Sequence, residues 1–351
     1  MGSAVTLPLK MYGEFKSASL RMKIAVLGAG AWGTALALVY AKRHNVTLWT
    51  RNTSQLDTIA KARENLRYLP GFSLPDSLNY SSDLEQAIGG ADLLLAVVPS
   101  SGLRALLVTL TQSGNRAPII WACKGLEPGS AKLLHQVAAE TLPDYVARGV
   151  LSGPSFAQEV ARGLPCALTL AAHDAAFAHQ AAADLHDHHL RVYSSTDVVG
   201  VELGGAVKNV MAIATGISDG MGFGSNARAA LITRGLAEIT RLGLVLGGKL
   251  ETFMGLAGMG DLILTCTGDL SRNRTVGLRL AQGLPLVEIL QQLGHAAEGV
   301  HTCAEVLSMA HGLQVEMPIT RAVQRVMFEG LPPRQALEEL LAREPKAEYG
   351  E

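Results

Sequence analysis

Lys208 stands in the string Val201-Glu-Leu-Gly-Gly-Ala-Val-Lys-Asn-Val-Met211. At helical spacing its neighbours three and four residues away are Gly204, Gly205, Met211 and Ala212. An amine among small and apolar neighbours points into confined, poorly hydrated space. Desolvation lowers a lysine pKa towards neutrality and suits it to proton transfer. The competing reading is a lysine that snorkels at a domain surface. In Gly258-Met-Gly-Asp261-Leu-Ile-Leu-Thr265 a carboxylate stands beside a glycine turn. Asp261 either orients and charge-pairs with Lys208 or caps the turn that follows. Ser271-Arg272-Asn273 falls at the expected start of a helix. Arginine, hydroxyl, amide and free helix N–H groups together suit a phosphate; ordinary capping with a solvated arginine is the alternative. Lys124 ends the apolar run Ile119–Cys123, just before Gly125. Ligands sit at the carboxyl ends of strands in open parallel sheets, and the plainer reading is a loop lysine.

A second kind of chemistry is binding. Gly28-Ala-Gly30-Ala-Trp-Gly33 fits G-x-G-x-x-G, follows the apolar run Lys23–Leu27 and opens a helical stretch. Gly28 permits the tight turn, Gly30 lets a pyrophosphate approach the backbone, and Gly33 allows close helix–strand packing. A plain strand–helix turn and a methyltransferase's nucleoside cofactor are the other readings. About 20 residues on, where an acid would hold the ribose of NAD, the chain reads Trp49-Thr50-Arg51-Asn52, with no acid before Asp57. Arg51 suits a 2′-phosphate and favours NADP(H), with NAD(H) also open; otherwise it is an exposed arginine at a strand end. His173, His179, His186, His188 and His189 crowd one region. Without cysteine ligands or a tidy pair of spacings they read as a solvated, alanine-rich helix, and no metal is expected.

These positions need elements to carry them. Strands are expected at Lys23–Leu27, Val46–Trp49, Leu93–Val98, Ile119–Ala122, Val150–Leu151, Cys166–Ala171 and Arg191–Tyr193. Helices near 33–43, 53–66, 82–88, 102–112, 130–141, 155–162 and 174–187 separate most of them. Such alternation means an α/β fold with a doubly wound, Rossmann-like sheet. From Val198 onward no strand is expected. Helices at 198–217, 226–246, 249–256, 272–282, 285–293, 299–311, 318–329 and 333–343 predict an all-helical second domain. The expected division is a tail over 1–22, a dinucleotide-binding domain over 23–196 and a helical substrate-binding domain over 197–343.

Composition agrees with two packed domains in 351 residues: 48% are hydrophobic and 17% charged. The 30 basic and 31 acidic residues leave a formal net charge of −1, without the basic surplus of a general nucleic-acid binder. Ala91–Leu110 and Val201–Ile217 are apolar but broken by charged and polar residues, so no membrane span is expected. Residues 1–22 lack the apolar core of a signal peptide. Cysteines at 123, 166, 266 and 303 form no disulfide framework and point to a reducing cytoplasm.

The separated strings Gly28-Ala-Gly-Ala-Trp-Gly-Thr34, Ala96-Val-Val-Pro-Ser100, Cys123-Lys-Gly125, Leu151-Ser-Gly-Pro-Ser-Phe-Ala157, Glu202-Leu-Gly-Gly-Ala-Val-Lys-Asn209, Gly260-Asp-Leu262 and Ser271-Arg-Asn-Arg274 together resemble the bacterial NAD(P)-dependent glycerol-3-phosphate dehydrogenase family, from Lys23 to about Leu341. The resemblance implies reversible hydride transfer between NAD(P)H and dihydroxyacetone phosphate, giving sn-glycerol 3-phosphate, a glycerophospholipid precursor. By the same resemblance Lys208 is the general acid/base, Lys124 touches substrate and cofactor, and Thr265 lies near the catalytic groups. Gly153, Ser155, Asp261, Ser271, Arg272 and Asn273 match substrate positions. Ala31, Trp32, Arg51, Ala157, Ala296 and Glu298 match cofactor positions, to which Arg272 also reaches. Many relatives have serine where this chain has Ala31, so a hydroxyl contact is absent and only the backbone N–H remains. The family also implies a homodimer. Two other readings stand beside this one: a reductase of another small phosphorylated ketone or hydroxy acid, and a non-catalytic dinucleotide sensor, which needs neither a buried lysine nor a phosphate grip.

Overall fold

The computed structural model describes residues 21–294 and 297–342. The first half alternates as β1 (Lys23–Leu27), α1 (Ala31–Tyr40), β2 (Asn45–Trp49), α2 (Thr53–Ala62), β3 (Glu64–Asn65), β4 (Leu69–Ser73), β5 (Asn79–Ser81), α3 (Leu84–Ile88), β6 (Leu93–Ala96), α4 (Ser100–Gln112), β7 (Ile119–Trp121), α5 (Leu134–Thr141), β8 (Arg148–Ser152), α6 (Ala157–Ala161), β9 (Cys166–Ala171), α7 (Ala175–Leu185) and β10 (Leu190–Ser195). Eight strands form one sheet in the order β10-β9-β8-β7-β6-β1-β2-β5. Strand β1 lies between β2 and β6, both parallel to it, so the chain reverses its direction of travel across the sheet there. That switch point opens a crevice at the carboxyl ends of the strands. Apolar runs such as Leu93–Ala96 are buried along their whole length because helices cover both faces of the sheet.

Several expectations shift. The helix expected over 53–66 stops at Ala62, where Arg63 takes a left-handed conformation. A short antiparallel hairpin, β3–β4, follows. The pairing of β8 with β9 is antiparallel, so β9 and the edge strand β10 run opposite to the other six strands. Strand β5, at the opposite edge, was not expected.

After Ser195 every described element is helical. These are α8 (Val198–Gly220), α9 (Gly224–Val245), α10 (Leu250–Phe253), a π-helical turn over Leu256–Gly260, α11 (Asp261–Thr267), α12 (Arg272–Ala281), α13 (Leu286–Leu293), α14 (Glu298–Gly312), α15 (Pro318–Phe328) and α16 (Pro333–Leu341). The stretch expected as one helix over 249–256 is thus a single turn of α10 leading into the π turn, and Asp261 opens a helix of its own.

Helix α8 organises the second half. From Val198 to Ser218 only Val199 escapes burial. By length and composition this helix could cross a membrane, yet 94% of its apolar window is buried inside the fold. Its first turns, with Val198 and Val201, share a core with β7, α4 and α5. The apolar residues from Leu203 to Ile217 belong to the core of the helical half. Asp197 caps the helix by accepting from Gly200 N–H at 2.9 Å and also accepts from Lys249 N–H at 2.8 Å. Glu202 binds back to the sheet half, accepting from Trp121 Nε1–H at 2.8 Å and meeting His135 Nδ1 at 2.7 Å. Two glycines let α12 lie directly on α8: a Cβ on Gly216 would stand 2.1 Å from the Arg274 carbonyl oxygen, and one on Gly277 2.1 Å from that of Ile213.

Candidate active site

The carboxyl edge of the sheet carries a row of the predicted positions. In spatial order, Gly153 follows β8, Lys124 lies just beyond β7, Val97 follows β6, Gly28 follows β1 and Arg51 lies just beyond β2. Gly28 has φ of +131°, and a Cβ there would stand 2.4 Å from the Val97 carbonyl oxygen. Only glycine fits so close a passage at this angle. Gly28 N–H donates to Trp49 O at 2.9 Å, which sets the end of β2 beside the turn. Gly33 packs on Gly28, whose carbonyl oxygen would be 1.9 Å from an added Cβ. Gly30 differs: nothing lies within 4 Å of its Cβ position. The backbone there faces open space at the start of α1, which has no side-chain cap. Uncapped N–H groups beside an open glycine fit a dinucleotide's phosphates.

Trp32 and Ala157 pack partly buried against the same core cluster, where α1 and α6 meet. Ala31 is the first residue of α1. Arg51 is exposed. Ala296 lies outside the described residues.

Across the crevice the helical half contributes a buried charge cluster. Lys208, on α8, donates to Asp261 Oδ1 and, at 2.8 Å, to Thr265 Oγ1. Asp261 is fully buried, and its other oxygen accepts from Lys124 Nζ at 2.7 Å. Lys124 also donates to the Gly153 carbonyl at 3.0 Å, to which Ser155 Oγ donates as well, at 3.0 Å. One carboxylate therefore bridges two ammonium groups, one from each half of the chain. The cluster keeps a net positive charge, which favours an anionic ligand or a developing oxyanion. Burial pushes the Lys208 pKa down to about 8; Asp261 opposes that shift and the Lys124 charge adds to it.

Local structure explains the placement. A Cβ on Gly204 would lie 2.5 Å from the Ala257 carbonyl oxygen, and one on Gly205 2.6 Å from Ser152 Oγ. The two glycines let α8 press against the π turn and the end of β8. The widened π turn presents Asp261 at the head of α11, and Thr265, one turn on, hands its hydroxyl proton back to the Asp261 carbonyl at 2.6 Å. Asp261 makes no side-chain cap; its carboxylate is taken by the lysines.

The Ser271-Arg272-Asn273 corner opens α12. Ser271 is the N-cap, accepting from Arg274 N–H at 3.2 Å. Arg272 is exposed and pairs with nothing among the described residues. Asn273 is buried and its amide is occupied: Nδ2 donates to Asn209 Oδ1 at 2.9 Å and Oδ1 accepts from Gly299 N–H at 3.0 Å. Asn273 thus offers a ligand its backbone N–H while its side chain ties the first turns of α12 and α14 to the residue after Lys208. Arg274 is held by Asp219 at 2.8 Å and Asp269 at 3.0 Å. Glu298 opens α14, and burial raises its pKa against the pull of Arg272, Lys124 and Lys208. Asn209, which holds Asn273 at 2.9 Å, was missed in the sequence. That partner lies 64 residues on in the chain, and no local spacing marks the pair.

Among the described residues no three histidine, cysteine or acidic side chains converge as a metal site. His186 instead accepts from Val192 N–H at 3.4 Å.

Two family models match the chain: the NAD-dependent glycerol-3-phosphate dehydrogenase N-terminus over residues 23–178 and the C-terminus of the same enzyme over 197–338. The chain is 62% identical over 331 residues to NAD(P)+ glycerol-3-phosphate dehydrogenase of Nitrosospira multiformis, covering 93% of this chain and 99% of that one. It is 60% identical over 328 residues to the protein of that name from Thiobacillus denitrificans, covering 93% and 100%. A crystal structure of glycerol-3-phosphate dehydrogenase from Coxiella burnetii superposes with a TM-score of 0.88 at 45% identity, covering 92% of this chain and 99% of that one.

Proposed function

The chain belongs to the NAD-dependent glycerol-3-phosphate dehydrogenase family, and we infer that it catalyses reversible hydride transfer between NAD(P)H and dihydroxyacetone phosphate, giving glycerol 3-phosphate. The observation that carries this reading is the Lys208–Asp261–Lys124 bridge, set where the carboxyl edge of the sheet meets the helical half. When bound, the cofactor supplies the hydride that reaches the carbonyl carbon. The residues to hold it are Gly28, Gly30, Ala31, Trp32 and Gly33 in the turn, with Arg51, Lys124, Ala157, Arg272 and Glu298 around it. Arg51, exposed beyond β2, supports use of the 2′-phosphorylated cofactor.

The chain's own residues do the rest. Lys208 holds a proton at Nζ and releases it to the substrate's carbonyl oxygen as charge develops there; in the reverse direction the neutral amine takes the hydroxyl proton. Asp261 aims that amine and offsets its burial. Lys124 adds positive potential and, with Gly153 and Ser155, lines the sheet side of the substrate. Arg272 and the first N–H groups of α12 receive the phosphate, with Ser271 as cap and Asn273 as anchor. Holding the phosphate orients the carbonyl, which converts an encounter into a reactive geometry.

The decisive assay is loss of NADPH fluorescence on adding dihydroxyacetone phosphate, repeated with NADH. Lys208→Ala is expected to lower turnover by about 10²–10⁴-fold while NADPH still binds. Turnover near wild type would remove Lys208 from the proton-transfer step. Arg272→Ala is expected to raise KM for dihydroxyacetone phosphate by about tenfold or more. An equal loss with unphosphorylated dihydroxyacetone would contradict the phosphate role.

The wider reading is a cytoplasmic enzyme, divided near residue 197, that supplies glycerol 3-phosphate to glycerophospholipid synthesis and works as a homodimer. Support for self-association comes from Leu244, Val245, Leu250 and Met254, which are about half exposed at the end of α9 and through α10.

A further inference from the structure

Ala29 lies between the first two glycines of the phosphate turn. Its carbonyl oxygen accepts two side-chain amide N–H groups from outside the turn: Gln55 Nε2 on α2 at 2.8 Å and Asn65 Nδ2 on β3 at 3.0 Å. A carbonyl oxygen has two lone pairs, and both are used here. Asn65 is 1% exposed. Its Nδ2 also donates to Thr34 Oγ1 at 2.8 Å, and its Oδ1 accepts from Tyr68 N–H at 3.3 Å. Gln55 Oε1 accepts from Thr50 Oγ1 at 3.3 Å, next to Arg51.

The peptide between Ala29 and Gly30 is trans and planar, so the Ala29 carbonyl and the Gly30 N–H point in opposite directions. Fixing the carbonyl inward fixes the N–H outward. That N–H has no acceptor among the described residues. Gly28 and Gly30 flank this short stretch, and glycines resist a peptide flip poorly. A flip would turn a carbonyl dipole towards a bound phosphate and withdraw a donor from it.

We propose that Asn65 and Gln55 are positioning residues for the cofactor: their amides clamp the Ala29 carbonyl so that the glycine turn presents N–H groups, and no carbonyl, to the pyrophosphate. The β3–β4 hairpin exists in part to deliver one of these amides. The proposal rests on the reading of the glycine turn as the NAD(P)(H) phosphate site. It assigns two residues that touch neither substrate nor cofactor a share of cofactor affinity.

The test is a fluorescence titration of NADPH against the full chain, with steady-state constants and melting temperatures measured beside it. Asn65→Leu keeps the branched outline and the number of side-chain heavy atoms and removes the donor. Gln55→Met removes the donor from a side chain of similar length at a half-buried site. Gln55→Met is expected to raise the Kd and KM for NADPH about fivefold and Asn65→Leu about tenfold or more. At saturating NADPH, kcat and the KM for dihydroxyacetone phosphate are expected to stay within about twofold of wild type. Asn65→Asp, which sets a carboxylate against the carbonyl, is expected to weaken NADPH more than Asn65→Leu. Unchanged NADPH affinity in folded variants, with only melting temperature or kcat lowered, overturns the proposal. Should Asn65→Leu fail to fold, Gln55→Met and Gln55→Glu decide it by the same criterion. The titration needs no turnover. Wild-type protein that binds NADPH but does not oxidise it with dihydroxyacetone phosphate would overturn the assigned reaction and leave the clamp open to the same measurement.

Discussion

Lys208 is governed by opposing influences: burial expels its proton while Asp261 retains it, and burial wins, lowering the pKa from 10.5 to about 8. Reduction consumes the protonated amine and oxidation needs the neutral one. Dihydroxyacetone phosphate reduction is therefore expected to fall as pH rises through about 8, and glycerol 3-phosphate oxidation to rise through the same region. Rate profiles for both directions check this; two profiles that move together there would show that another group titrates. The stability sign is opposite in kind. A lysine whose pKa falls on folding costs stability below about 8, and the cost is relieved as pH climbs towards 10.5. The pairing of Lys208 with Asp261 was legible in the sequence because charge among glycines is locally unusual. The Asn209–Asn273–Gly299 contacts were not: the Asn273 amide reads as a phosphate ligand, and Asn209 and Gly299 as ordinary residues, until packing joins them.

At the scale of elements, the approach of α12 to α8 decides where the Ser271-Arg272-Asn273 corner sits. Gly216→Ala would drive a Cβ against the Arg274 carbonyl, 2.1 Å away, and backbone must yield. The expected result is a loss of about 1–3 kcal/mol in stability, with a raised KM for dihydroxyacetone phosphate and little change in NADPH affinity. Denaturant titration and steady-state kinetics read the two effects separately; an unchanged KM would mean that α12 holds its place without α8. Most strands and helices could be read from apolar runs and glycine or proline stops. The antiparallel pairing of β9 with β8 could not, because a buried apolar strand carries no mark of its direction. Nor could the β3–β4 hairpin: Glu64 and Asn65 fall inside the stretch expected as helix, and Pro70 and Gly71 are poor strand formers.

For the molecule as a whole, α8 belongs to two cores at once. Its first turns pack with the sheet and the rest packs with the helices, and the Glu202 contacts to Trp121 and His135 fasten the join. The two halves are therefore expected to unfold together. Scanning calorimetry should show one transition with calorimetric and van't Hoff enthalpies about equal; two resolved peaks would mean that α8 belongs to one half alone. The same burial has a consequence during synthesis. The ribosome releases α8 before α9, α11, α12, α14 and α15, the helices that cover it. For that interval the nascent chain carries an unsheathed greasy rod, long enough to be mistaken for a membrane anchor. A growing polypeptide of this design depends on chaperones, or on rapid completion, to keep its most apolar segment from sticking elsewhere.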